Sequence, residues 1–373
     1  MLQGEKEDIT RQQVVTEFYS DVASAVGVKS ENLYRPIKGA EAFLFKDQRY
    51  CCLINGDLNQ ESGIPVEIGF VKITKSGKPD LVRNLGRESF IAQHAQELGI
   101  PAVKCLTPIT PVKDKYFLIQ LEALSPKDGI AYMGKEMHAS APVEVAAQAT
   151  GAILSLYQKT IPGGLDTSML ERQHERNADS ESFSTVWQDE NEKVFGSDNS
   201  EIVAHLCQTT PDKKDGISNL HQIIDTAQRY LETLIPAGQD DTHEFLSHGD
   251  ADLNNMFFKH NGEVVLIDWE TAAVTHNWFL AQLTDLSNLY GRCWVDPEKQ
   301  KQILSSIVKS DCFDDLETRY RVAYSVAVFG SMYLAKFAMD PNHHEHPMTQ
   351  SLLGNLQGNL DHLNAEYQSL GQS

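Results

Sequence analysis

Four side chains able to bind a metal or move a proton, His248, Asp250, Asp252 and Asn255, fall within the short stretch HGDADLNNMFF. An apolar run, VVLI, then leads directly into Asp268-Trp269-Glu270. Gly249 and the Asp-Leu-Asn-Asn run break regular structure, so Asp250 and Asn255 are expected in a loop. Met256–Phe258 and Val264–Ile267 are expected to form a hairpin around KHNGE that returns Asp268 beside Asn255. One amide oxygen and one carboxylate would then converge. Mg²⁺ takes a few hard oxygen ligands and keeps water or phosphate oxygens for the rest. An Asn–Asp pair therefore suits an ion that arrives with a nucleotide, and it leaves Asp250 to orient a hydroxyl and accept its proton. Phosphoryl transfer needs positioning and charge neutralisation more than covalent help, so these groups suffice for it. The competing reading is that Asp and Asn merely satisfy turns.

The elements that must hold these residues follow from hydrophobic spacing. ITRQQVVTEFYSDVASAVGV predicts an N-terminal helix with Thr10 as N-cap. Strand-like pieces follow, namely NLYRPI, AFLFK, RYCCLIN and VEIGFVKIT. GRESFIAQHAQELGIP predicts a helix stopped by Gly99 and Pro101, and the residues after it predict two strands around a Lys-Asp-Lys turn. Beyond SPKDG the periodicity turns helical, as in VEVAAQATGAILSLYQKTI and MTQSLLGNLQGNLDHLNAEYQSL. A sheet-rich first third before a helical remainder implies two lobes, with residues 1–122 forming the first and 123–373 the second. Ligand sites favour the cleft between such lobes.

His248-Gly249-Asp250 with Asn255, and Ile267-Asp268-Trp269-Glu270 after a hydrophobic strand, resemble the catalytic motifs of the aminoglycoside phosphotransferase and choline kinase-like family. That resemblance implies an α+β, two-lobed protein-kinase-like fold: a small β-rich N-lobe with one key helix, and a larger, mainly helical C-lobe. It implies Asp250 as catalytic base, His248 bracing the catalytic loop, and Asn255 and Asp268 as Mg²⁺ ligands. Asp285 in LTDLSNLYG resembles the Asp-Leu that starts the next helix and holds the catalytic loop by hydrogen bonds; a plain N-cap is the alternative. FVKIT resembles the strand whose Lys reaches the α and β phosphates, which makes Lys72 the candidate and Glu88 its partner. An apolar-flanked Lys is costly to bury unpaired. Glu67 and Lys75 compete for these roles, and a first-turn Glu favoured by the helix dipole is the bland reading of Glu88. Gly39 in IKGAEAFLF is the candidate phosphate-covering turn, although the stretch lacks G-x-G-x-x-G. In YFLIQLEALSP the main chain of Gln120 and Glu122 is the expected partner of the base, with Ile119 behind it.

The filler Ala251-Asp252-Leu253-Asn254 departs from the common family form. Asp252 would either bind an amine on the acceptor or cap the turn. Trp187 and Trp278 could wall a quaternary amine, or simply pack. NHHEHP lacks the spacing of a helical zinc motif and reads as a surface loop.

The chain of 373 residues carries 32 Lys and Arg against 52 Asp and Glu, a formal charge of −20, which argues against nucleic-acid binding. The acidity would suit a cationic acceptor, and solubility explains it equally well. Six scattered cysteines without a C-x-x-C pair fit reduced, cytoplasmic usage. MLQGEKEDITRQQ has no signal-peptide core, and the weakly polar Val322–Ala335 stretch is too short to span a bilayer, so no membrane role is expected. The expected cofactors are Mg²⁺ and ATP, with GTP as the variant, and the expected partner is a small-molecule hydroxyl compound. A protein kinase, or a catalytically silent nucleotide sensor or scaffold, are the competing functions.

Overall fold

A computed structural model of the chain describes residues 3–34, 50–58, 65–132, 140–172, 220–338 and 347–372. The described part is α+β and divides into two compact units. The first comprises residues 1–130, 259–261 and 265–271, and the second comprises 131–258, 262–264 and 272–373. Three of the unit boundaries fall within the short strands β6 (Gly129–Ala131), β9 (Met256–Lys259) and β10 (Val264–Leu266), and two more fall after residues 261 and 271. The turn between β9 and β10 passes through Gly262 at φ 88°, a backbone conformation that glycine adopts without steric cost.

The first unit is built on a five-stranded sheet of order β1-β2-β3-β5-β4, with every pair antiparallel. Its strands are β1 (Leu33–Tyr34), β2 (Tyr50–Leu58), β3 (Pro65–Lys75), β4 (Cys105–Val112) and β5 (Tyr116–Leu121). Strand alternation decides what each face does. Val71 and Ile73 of β3 are buried with Leu118 of β5 and Val112 of β4, and helix α1 (Gln3–Ala25) covers them with Val15, Phe18, Tyr19 and Val22. Each of these side chains contributes about 1.5–3 kcal/mol on burial. Lys72, between Val71 and Ile73, must therefore leave β3 on the opposite face. Helix α2 (Pro79–Leu98) packs against β3, β4 and β5. The turn between β4 and β5 places Lys113 and Asp114 at φ 47° and 56°, the paired positive angles of a type I′ hairpin turn.

Two helix starts lie earlier than their spacing predicts. Thr10 is inside α1, which extends back through the polar segment where Gln3, Glu5, Lys6 and Glu7 are good helix formers. The second helix begins at Pro79, a residue preorganised for the first helical position, and Gly86 is buried in its interior. Its end is as predicted: Gly99 is left-handed at φ 64°, and its N–H donates to the Ala95 and Gln96 carbonyls.

The second unit is mainly helical, with α3 (Val143–Tyr157), α4 (Leu220–Gly238), α5 (Trp278–Arg292), α6 (Pro297–Lys309), α7 (Leu316–Ala338) and α8 (Pro347–Gly371). A small sheet of order β7-β11-β8 joins β7 (Glu171–Arg172), β11 (Ala273–Thr275) and β8 (Phe245–Ser247). The Val322 stretch is a buried helix: Val322, Ala323, Val326, Ala327 and Val328 are all inaccessible. Among the described residues, no helix is long and apolar enough to cross a membrane.

Helices α5 and α7 meet at Gly330, where an added Cβ would lie 2.6 Å from the Ser287 carbonyl oxygen and 2.8 Å from Tyr290. A backbone oxygen cannot step aside as a side chain can. Gly330→Ala should therefore lower stability by about 1–3 kcal/mol, measured as a fall in denaturant midpoint at unchanged slope.

Candidate active site

In the first unit, Lys72 stands at the centre of a three-residue charge cluster. Its Nζ donates to Glu88 Oε1 at 2.8 Å and Oε2 at 2.6 Å, and to Asp268 Oδ1 at 2.6 Å. Glu88 lies in the interior of α2, which removes the first-turn dipole reading of that residue. Burial disfavours the charged form of Lys72, but attraction to Glu88 and Asp268 outweighs it and raises the lysine pKa above its ordinary value. Burial pushes the Glu88 carboxyl up, to about 7, against the pull of Lys72. Exposure is graded across the cluster: 1% for the Glu88 side chain, 16% for Lys72 and 38% for Asp268.

The segment bearing Asp268 is fastened to this unit at several points. The Leu266 N–H donates to the Pro101 carbonyl at 2.8 Å, and Trp269 is fully buried with Nε1 donating to the Leu266 carbonyl. Arg87 Nη1 of α2 donates to the Glu270 carbonyl at 3.4 Å. Asp268 itself has φ 63°, a left-handed conformation that Asp tolerates better than most residues.

In the second unit, the loop of residues 248–255 hangs from Asp285. This fully buried carboxylate accepts from the His248 N–H at 2.8 Å, the Gly249 N–H at 2.8 Å, Ser247 Oγ at 3.2 Å and Tyr157 Oη at 2.7 Å. Burial pushes the Asp285 carboxyl up, opposed by the neighbouring His248 and by these hydrogen bonds. Asp285 lies within α5 and does not start it; Asn277 is the N-cap, accepting from the Leu280 N–H. His248 is buried, and its Nδ1 accepts from the Asp250 N–H at 3.4 Å. Gly249 takes φ 81°, which turns the chain between them.

Asn255 Nδ2 donates to the Asp250 carbonyl at 2.7 Å and to Asp250 Oδ2 at 3.1 Å. Its amide nitrogen is thus committed, which leaves the oxygen as the group with ligand chemistry. Asp252 is a turn cap. Its Oδ1 accepts from the Asn254 and Asn255 N–H groups and its Oδ2 from Asn254 Nδ2, all while nearly buried. Two residues not expected from sequence join them: Asn288 donates to Asp250 Oδ1 at 2.9 Å, and Arg292 approaches Asp250 and Asp252. They lie three and seven positions after Asp285, on the same face of α5.

Lys72, Glu88 and Asp268 thus come together in the first unit, and His248, Asp250, Asn255 and Asp285 in the second. Gln120 lies within β5, between β3 and β4, and its side-chain oxygen accepts from Thr107 Oγ1. The Glu122 N–H donates to the Lys104 carbonyl at 2.9 Å, so only its carbonyl could serve a base. Ile119 is fully buried. Trp278 packs on Phe279 and Phe313. Gly39, Trp187 and the NHHEHP histidines lie outside the described residues, as does the side chain of Glu67. Among the described residues, no group of three or more His, Cys, Asp or Glu side chains is placed to hold a metal ion.

The ecdysteroid kinase-like family model matches residues 164–277. That span contains His248, Asp250, Asn255 and Asp268. A comparison with curated proteins finds no match. Among solved structures, the chain is similar to an aminoglycoside phosphotransferase from Alicyclobacillus acidocaldarius, with 15% identity, 87% of this chain and 91% of that chain covered, and a TM-score of 0.48. It is similar to a macrolide 2'-phosphotransferase from Brachybacterium faecium, with 13% identity, coverage of 91% and 97%, and a TM-score of 0.46. It is also similar to a choline/ethanolamine kinase family protein from Mesorhizobium loti, with 13% identity, coverage of 84% and 92%, and a TM-score of 0.42.

Removing one partner of a buried ion pair strands the other charge. Lys72→Met should cost about 3–5 kcal/mol, and adding Glu88→Leu should restore part of that loss in equilibrium unfolding. Additive losses in the double variant would contradict the pairing.

Proposed function

We propose that the protein is an ATP- and Mg²⁺-dependent phosphotransferase that moves the γ-phosphoryl group to a hydroxyl of a small molecule. The Lys72 cluster carries this reading. A buried ion pair is rarely more stable than well-packed apolar residues of the same volume, so stability alone gives little reason to keep one. A lysine anchored by a buried carboxylate and shared with an exposed one is suited to anionic oxygens arriving from solvent.

In this reading Lys72 binds phosphate oxygens while Glu88 holds it in place. Asp268 and the Asn255 amide oxygen are the groups that would hold Mg²⁺: both are hard oxygen donors, and the Asn255 nitrogen is already spent on Asp250. Bound Mg²⁺ supplies neutralisation of the triphosphate charge. Asp250 orients the acceptor hydroxyl and takes its proton, and His248 and Asp285 hold the loop that carries it. The main chain of Gln120, the Glu122 carbonyl and Gly39 remain the proposed contacts for base and phosphates. GTP is the alternative donor to test.

The acceptor is read as a hydroxylated small molecule. Aminoglycosides, choline-like alcohols and sugars are candidates, and the matching family's name adds ecdysteroids, which are polyhydroxylated steroids. Release of ADP across kanamycin, choline, a hexose and an ecdysteroid tests the assignment. Asp250→Ala should lower turnover at least about 100-fold while the rise in melting temperature with Mg-ATP is retained. Asp268→Ala should instead abolish that rise. Full turnover in Asp250→Ala would defeat the assignment.

A further inference from the structure

Resting on the phosphotransfer reading, we infer that Asn288 and Arg292 of α5 are positioning residues for Asp250, and that they fix the orientation of its carboxylate. The Asp250 side chain is 41% exposed, so packing does little to choose its rotamer. Its two oxygens are instead held one each by an amide: Oδ2 by Asn255 at 3.1 Å and Oδ1 by Asn288 at 2.9 Å. A planar carboxylate gripped at both oxygens has its plane set as well as its position. Asn255 belongs to the same loop and moves with it. Asn288 does not: it is nearly buried on a long helix, so it refers the carboxylate to the body of the unit.

One turn further on, Arg292 places Nη2 4.0 Å from Asp250 Oδ1 and Nε 3.7 Å from Asp252 Oδ2. These separations are ion-pair distances and too long for good hydrogen bonds. The guanidinium offsets the mutual repulsion of two carboxylates held two residues apart. Its place in the last turn of α5 also suits the helix dipole, which a purely structural arginine would satisfy equally. What a dipole role does not explain is the common face. Asp285, Asn288 and Arg292 are spaced i, i+3, i+7, and each meets the loop with the complementary group: a carboxylate toward its N–H groups, an amide and a guanidinium toward its carboxylates.

The test measures turnover with the best acceptor, KM for ATP and the Mg-ATP melting shift in Asn288→Leu and Arg292→Met, with Asn288→Ser as the alternative should the leucine variant fail to fold. Displacing a reacting group by about 1 Å costs on the order of 100-fold. Asn288→Leu should lose about 100-fold and Arg292→Met about 10-fold in turnover, with KM for ATP and the melting shift unchanged. In an Asp250→Ala background neither substitution should lower the residual turnover further, because groups that act through one carboxylate are non-additive. Wild-type turnover in both single variants, or the same fold-loss without Asp250, would overturn the inference. If the unaltered protein releases no ADP with any acceptor, the phosphotransfer reading fails, and crystal structures of the two variants decide the positioning role: a rotated Asp250 carboxylate sustains it, an unmoved one refutes it.

Discussion

The loop that carries Asp250 has its place because one buried carboxylate, Asp285, accepts four hydrogen bonds. Moving an ionised carboxylate out of water costs several kcal/mol, and only a full set of donors offsets it. Two of the four donors are main-chain N–H groups of His248 and Gly249, so what Asp285 orders is the backbone of the loop itself. Tyr157 of α3 and Ser247 of β8 bring two further elements to the same point. A loop fixed by its backbone can hold an exposed side chain such as Asp250 without burying it.

The same helix continues the task, and this is where sequence reading ran short. The His-Gly-Asp and Asp-Trp-Glu motifs were legible because their residues lie close along the chain and their types are unusual together. Lys72 and Glu88 were legible through the resemblance, and the apolar flanks of Lys72 added the need for a partner. The β4–β5 hairpin and the buried Val322 helix were legible from periodicity. Asp285 is expected, from the resemblance, both to start its helix and to hold the catalytic loop by hydrogen bonds; the bonds to the loop are present, while Asn277, eight residues earlier, is the N-cap. Asn288 and Arg292 were invisible for a different reason. Asn and Arg are ordinary on a helix, and their meaning arises only when the helix face is turned toward a loop thirty or more residues upstream. Residues 265–271 group with the first unit although they lie far along the chain, and Leu266 and Glu270 bind there through the Pro101 carbonyl and Arg87.

The acidic balance of the chain takes on a local meaning in these clusters. Asp252, the additional carboxylate beside Asp250, has both oxygens engaged by the turn it caps and faces a guanidinium. It is therefore poorly placed to recruit an amine, and the net charge of −20 is no guide to the acceptor's charge. Arg292, half-exposed, puts a positive charge beside the proposed base in a molecule that is negative overall.

Both clusters solve one problem in the same way. In the proposed function the carboxylates of Asp268 and Asp250 meet a ligand from solvent, and an exposed side chain is free to wander. In the first unit the exposed Asp268 is tied through Lys72 to the buried Glu88, which holds the ammonium by two contacts while Asp268 holds it by one. If Asp268 turned toward a ligand, Lys72 would keep the stronger part of its anchorage. In the second unit the exposed Asp250 is tied through Asn288 to a buried stretch of α5. In each case a buried polar group sets the geometry and an exposed carboxylate faces solvent. That division accounts for why the chain tolerates the desolvation cost of Glu88 and Asp285 in two places where apolar residues would pack more cheaply.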